Sequence, residues 1–222
     1  VDAARLLNIR GCSITIPHKV DIIPLLDETS AGVKEMGACN TIYRDGEKLC
    51  GENTDIIGFM APLQKRSLPP DTRALVLGAG GVSRAAIAGL RRLGLTNITL
   101  TNRRKERAEA LCNEFGLLCA PWEERGDVPA DLIINTTSLG MTGAQEHETP
   151  YPSPFQGSGI AYDLIYTPFQ TRFLLDAAAA GWETIPGLDM FIGQGDAQFH
   201  LWTGHHLPKQ AVTAVDSALY GQ

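Results

Sequence analysis

The stretch RALVLGAGGVSRAAIAGLRRLGLTNITLTNRR, Arg73 to Arg104, reads as strand, glycine turn, alanine-rich helix and second strand. Ala74 to Leu77 is a continuous apolar run, the pattern of a parallel strand buried on both faces. Gly78-Ala79-Gly80-Gly81-Val82-Ser83 then stands where a dinucleotide fingerprint would sit. Glycines there let the backbone approach a pyrophosphate, and the next helix offers N–H groups and partial positive charge at its start. Ser83 occupies the place of the third glycine, so the match is imperfect, and a turn that needs glycine for geometry alone is the competing reading. The surrounding strand–turn–helix–strand order favours a nucleotide.

The end of the second strand narrows the choice of nucleotide. NAD binders place Asp or Glu there to hold the ribose 2′-hydroxyl. Here Ile98 to Thr101 runs into Asn102-Arg103-Arg104-Lys105, with Arg107 beyond. Arginine grips a phosphate through two parallel hydrogen bonds, so this end favours a 2′-phosphate and NADP over NAD. A merely solvated helix start is the weaker alternative, because cations at a helix N-terminus oppose its dipole.

Outward from this unit the pattern repeats. ADLIINTTS (130–138) and GIAYDLIY (159–166) supply two more buried strands, and Lys105 to Phe115 and Thr171 to Ala180 read as helices. Strand–helix alternation of this kind predicts an α/β, Rossmann-type, doubly wound parallel sheet over 72–187. LQKRSLPPDT (63–72), with Pro69-Pro70, reads as a crossing between domains. Ahead of it, 1–65 reads as a smaller α/β domain. Its elements are a tail of helix to Arg10, a strand over Ser13 to Ile16, a helix over Ile22 to Asp27 broken at Pro24, and a helix over Ser30 to Met36. A hairpin turning at Asp45-Gly46 follows. After it, 188–222 reads as helices that return to the smaller domain, with Asp189 to Thr203 the first of them.

Bulk properties exclude several classes. The formal charge of −6 offers no basic stripe for nucleic acid. No apolar run reaches the roughly 18 residues of a membrane span. The five cysteines are odd in number and lack a C-x-x-C, so neither a disulfide framework nor a metal site is expected. The five histidines form no ligand set, and His205-His206 read as surface. A cytoplasmic enzyme fits. Val1 follows no initiator methionine, and residues upstream of it are expected.

GCSITIPHKV (11–20) ends a strand on Thr15, Pro17 and Lys19, an odd finish unless a cleft begins there. Gln194 and Gln198, one turn apart on a helix rich in aromatics, fit either a return to that cleft or simple amphipathic packing. Taken alone, Lys19 is more often a solvated strand end, and Asp55 more often the cap of a helix starting at Ile56.

Together, SITIPHK, GACNTI, GENTDIIGF, LGAGGVSRA, TNRR, NTTSLGM and GLDMFIGQGDAQFHLWTG resemble, in order along almost the whole chain, the shikimate dehydrogenase family. That resemblance implies reversible hydride transfer between NADP(H) and shikimate/3-dehydroshikimate in aromatic amino-acid biosynthesis. It implies Lys19 and Asp55 as the catalytic pair, and Ser13, Thr15, Asn40, Gln194 and Gln198 on the substrate, with Tyr166 near its carboxylate end. It implies Gly78, Gly80, Gly81, Val82 and Ser83 at the pyrophosphate, and Asn102, Arg103, Arg104 and Arg107 at the adenosine phosphate. Thr136, Ser138, Met141 and Gly187 would line the adenine and nicotinamide route. Ser13 replaces the family's longer amide. The family's Ser-x-Ser element for the substrate carboxylate is absent from the ten residues before Gly11, and a fragment is expected. Relatives occur fused to dehydroquinate dehydratase, so fusion to or association with that domain is a further expectation. A quinate/shikimate dehydrogenase and a non-catalytic ligand sensor are the alternative readings; oligomeric state stays open.

Overall fold

The computed structural model describes residues 1–15, 17–152 and 154–220. Its centre is a six-stranded, wholly parallel sheet in the order β10-β9-β8-β5-β6-β7. The strands are β5 (Ala74–Leu77), β6 (Ile98–Thr101), β7 (Leu118–Cys119), β8 (Leu132–Asn135), β9 (Ile160–Asp163) and β10 (Glu183–Ile185). Every residue of β5 and β8 is buried. Period-two alternation explains how. Ala74, Val76, Leu132 and Ile134 face one core with Phe59, Ile87, Leu111 and Tyr162, while Leu75, Leu77 and Ile133 face the other with Phe155, Phe173 and Trp182. Each such aliphatic side chain removed from water contributes about 1.5–3 kcal/mol, which is why both faces of the sheet are covered by helices.

Helices α4 (Gly81–Arg92), α5 (Lys105–Phe115) and α6 (Arg172–Ala179) connect these strands. The chain winds from β5 to β7 on one side, then crosses to β8, β9 and β10 on the other. The direction reverses between β5 and β8. At such a switch point the two outgoing loops part, and a crevice opens outside the carboxyl ends of the strands.

The smaller sheet has four strands in the order β1-β3-β4-β2: β1 (Gly11–Ser13), β2 (Glu28–Thr29), β3 (Thr41–Asp45) and β4 (Lys48–Glu52). Around it lie α1 (Asp2–Leu6), α2 (Ala31–Met36) and α3 (Thr54–Leu63). The final helices are α7 (Gly187–Thr203) and α8 (Lys209–Tyr220). α7 lies along α3 at very short range: a Cβ on Gly58 would stand 2.6 Å from the Met190 carbonyl oxygen and 2.8 Å from the Gln194 nitrogen. At its far end, Trp202 Nε1 donates to the Ile42 carbonyl of β3 at 2.9 Å. These two contacts seat the last long helix on the first domain.

Three expectations need correction. The opening strand ends at Ser13, although the Ile14 nitrogen still donates to the Asn40 carbonyl at 2.7 Å. Ile16, part of the expected strand, lies outside the described residues. Ile22 to Asp27 holds only a short 3-10 turn, Ile23–Leu25, because Pro24 can fill the first turn but supplies no N–H, and Leu26 is already extended. The cap of α3 is Asn53, whose Oδ1 accepts from the Asp55 nitrogen at 3.1 Å, and not Asp55. The edge strands β2, β7 and β10 are too short to show alternation in sequence.

Candidate active site

Two cavities meet at Lys19 and Asp55. The first, about 710 Å³, is lined by Ser13, Thr15, Lys19, Asn40 and Asp55 from the smaller domain and by Gln194, Gln198 and Phe199 from α7. The second, about 830 Å³, runs from Lys19 and Asp55 past Gly80, Gly81 and Val82 to Thr136, Ser138, Met141 and Tyr166. A third, about 250 Å³, extends from Gly78 and Gly80 to Asn102, Arg103, Arg104 and Arg107. Together they form a route from the polar cleft to the arginines.

At the junction Lys19 Nζ donates to Asp55 Oδ2 at 2.8 Å, with the two side chains 30% and 22% exposed. Both are therefore shielded yet reachable. Asp55 Oδ1 accepts from Asn40 Nδ2, also at 2.8 Å. Asn40 is buried and held in turn: its Oδ1 accepts from the Thr54 nitrogen at 2.8 Å and from Thr41 Oγ1 at 2.9 Å. Since Asn53 does the capping, the Asp55 carboxylate in the first turn of α3 is left for Lys19 and Asn40. On the opposite wall, Gln198 is buried; its Oε1 accepts from Ser13 Oγ at 2.7 Å and its Nε2 donates to Gln194 Oε1 at 2.9 Å. Ser13 thus reaches α7 across the cleft, and Gln194 keeps its amide nitrogen free of that chain of bonds. Tyr166, exposed, lies on Phe191 with ring centroids 4.8 Å apart and lines both larger cavities.

The glycine turn divides into two kinds of glycine. Gly78 has φ of +114°, and a Cβ there would stand 2.6 Å from Thr136 Oγ1, so protein geometry alone requires it. Gly80 and Gly81 have no such reason: φ at neither lies in the left-handed region, and a Cβ would meet nothing within 4 Å. A side chain there would fill the space over the start of α4. A dinucleotide therefore fits: bare backbone, the first N–H groups of a helix, and three arginines with no carboxylate at the end of β6. Ser83 is buried, its hydroxyl accepting from the Gly80 nitrogen at 2.9 Å and lying 2.7 Å from Thr136 Oγ1. Its side chain braces the turn from beneath instead of facing the cavity. Gly187 opens α7 on the wall of the polar cleft, where a Cβ would stand 2.4 Å from the Ile165 carbonyl oxygen.

The lining also includes residues that sequence reasoning missed. Trp122, Thr137 and Gln145 border the arginine end. The position of Trp122 follows from topology, since it lies just after β7, the strand paired with β6; the pairing itself has no mark in the sequence. Among the described residues no cluster of three or more His, Cys, Asp or Glu could hold a metal ion. Nor is any helix there long and apolar enough to cross a membrane.

Comparison with known proteins identifies relatives of the chain. Residues 1–42 match the shikimate dehydrogenase substrate binding domain, 63–137 match shikimate / quinate 5-dehydrogenase, and 187–215 match the shikimate 5'-dehydrogenase C-terminal domain. The shikimate dehydrogenase (NADP(+)) of Pelobacter propionicus is 55% identical over 224 residues, covering 99% of this chain and 80% of its own length. The shikimate 5-dehydrogenase of Thermus thermophilus, solved with NADP(H) and shikimate, superposes with a TM-score of 0.84 at 36% identity, over 97% of this chain and 81% of that one. A chorismate mutase/shikimate 5-dehydrogenase fusion protein from Clostridium acetobutylicum superposes at 0.85 with 30% identity, over 100% of this chain and 81% of that one. A relative 55% identical over 99% of this chain and four-fifths of its own length shows that the chain belongs to the shikimate dehydrogenase family.

Proposed function

We propose that the chain catalyses the reversible, NADP-dependent reduction of 3-dehydroshikimate to shikimate, with Lys19 and Asp55 handling the proton. The observation that carries this is the 2.8 Å ion pair where the polar cleft meets the cavity of the glycine turn. When bound, the nicotinamide supplies or accepts the hydride. Lys19 Nζ gives its proton to the oxygen that becomes the hydroxyl, and takes it back in the oxidation direction. Asp55 orients Nζ with one carboxylate oxygen, while Asn40 holds the other, so the carboxylate plane is fixed. Ser13, Thr15, Asn40, Gln194 and Gln198 hold the ring hydroxyls, and Tyr166 stands toward the carboxylate end. Gly78, Gly80, Gly81 and Val82 face the pyrophosphate. Asn102, Arg103, Arg104 and Arg107 hold the 2′-phosphate, and Thr136, Ser138 and Met141 border the path to the nicotinamide.

In this reading 1–65 and 188–222 bind substrate and 72–187 bind cofactor. A cytoplasmic location belongs to it, supported by five free thiols of the kind that a reducing compartment maintains. Association with a dehydroquinate dehydratase domain belongs to it as well.

The test is NADP⁺ reduction, followed by nicotinamide absorbance, with shikimate and with quinate. Turnover with shikimate is expected. Faster turnover with quinate would shift the assignment to a quinate dehydrogenase, for which the short Ser13 leaves room. NADP⁺ binding with no turnover of either acid would overturn the catalytic reading in favour of a ligand sensor.

A further inference from the structure

Asp163 ends β9 and is fully buried, in register with Asn135 at the end of β8. These are the carboxyl ends of adjacent strands, from which two loops leave for the cavity that holds Lys19 and Asp55. One carboxylate closes both. Its Oδ1 accepts from Asn135 Nδ2 at 3.0 Å and from the Ile165 nitrogen at 2.9 Å, and its Oδ2 accepts from Thr171 Oγ1 at 2.5 Å. Asn135 passes the constraint on: its Oδ1 accepts from the Thr137 nitrogen at 2.9 Å and from Thr137 Oγ1 at 2.7 Å, and its Nδ2 also donates to the Leu139 carbonyl at 3.2 Å. Each partner of Asp163 is a neutral donor; none is a cation. Burial accordingly pushes its pKa up to about 6, although the hydrogen bonds from Thr171, Ile165, Asn135 and Leu164 oppose the rise. A buried carboxylate with no counter-charge is a poor device for stability, since an apolar residue of similar volume would avoid its desolvation. What it does supply is an acceptor with two oxygens that can tie several donors from separate segments into one geometry.

We propose that Asp163 is a positioning residue for the nicotinamide half of the cofactor: it sets the spacing between the turn after β8 and the exit of β9, whose residues Thr137, Ser138, Ile165 and Tyr166 form one wall of that cavity. The proposal rests on the NADP reading above. At the arginine end Asn102, Arg103, Arg104, Arg107 and Trp122 make no hydrogen bond to Asp163, and Thr137 and Leu139, which also line that end, are tied to it only through Asn135, so the adenosine half depends on it less directly.

The experiment compares wild type, Asp163→Asn, Thr171→Val and Thr171→Ser, each checked for folding by circular dichroism. Binding of NADP⁺ and of its adenosine half, adenosine 2′,5′-bisphosphate, is measured by calorimetry. Asp163→Asn should weaken NADP⁺ by about 10-fold or more, the scale of losing a charge-assisted hydrogen bond, while the half-molecule changes by less than about two-fold. Thr171→Val, which keeps the carboxylate, should show the same split more weakly if Asp163→Asn fails to fold, and Thr171→Ser should restore wild-type values. Equal weakening of both ligands, or of neither, overturns the proposal. Failure of wild type itself to bind NADP⁺ would instead overturn the cofactor assignment.

Discussion

At the residue scale, the proposed chemistry rests on a pair 36 positions apart in the chain and 2.8 Å apart in space. Lys19→Ala should lower kcat by roughly 10²–10⁴, the usual effect of removing an acid/base group, and leave NADP⁺ affinity within a few-fold. Steady-state kinetics beside a binding titration will check this; a comparable loss of cofactor affinity would mean that Lys19 serves binding and not proton transfer. The residue types at these positions were legible in sequence, chiefly through the family resemblance. Their partners were not. That Asn53 caps α3 and frees Asp55, and that Ser83 points inward to Thr136, depend on side-chain directions set by neighbouring elements.

At the element scale, α7 carries the glutamines, and its seat on α3 depends on the missing side chain at Gly58. Gly58→Ala places a methyl against the Met190 carbonyl and the Gln194 backbone, where neither can swing aside. The expected cost is about 1–3 kcal/mol of stability, together with a raised KM for shikimate as Gln198 lifts from Ser13 and Thr54 and Gln194, bonded to Gln198, moves with it. Urea unfolding and substrate kinetics measure the two effects separately, and an unchanged KM would detach the helix seat from substrate binding. Periodicity in the sequence left the role of this helix open between cleft and packing; its aromatics and glutamines fitted both. The contact with Gly58 lies about 130 residues away in the chain, beyond any local pattern.

At the scale of the whole molecule, the sheet edge that forms the site also stores an ionisation cost. The pKa of Asp163 is about 6 in the folded chain against 3.8 when free. A raised folded pKa means that the native state holds its proton longer than the unfolded chain does. The stability linked to that proton is thus complete below the free value and is lost as pH rises through about 6. Between about pH 4 and about pH 7, wild type should therefore lose roughly 2 kcal/mol relative to Asp163→Asn, which has no proton to lose there. Denaturant unfolding of both proteins across this range tests it; a constant gap would place Asp163 in the ordinary carboxylate range.

Local chemistry alone settled much of this protein. Buried strands, the glycine turn and the cations after β6 are short-range patterns, because backbone hydrogen bonding, apolar periodicity and helix-end electrostatics act over a few residues. Those patterns determined a parallel α/β sheet with a phosphate-ready turn and an arginine-rich strand end. Only the tertiary structure decided which groups meet: Lys19 with Asp55, Ser13 with Gln198, Asp163 with Asn135 and Thr171. Those meetings follow from strand order and from how closely α3 and α7 can pack, both of which depend on the burial of surface contributed by the whole chain.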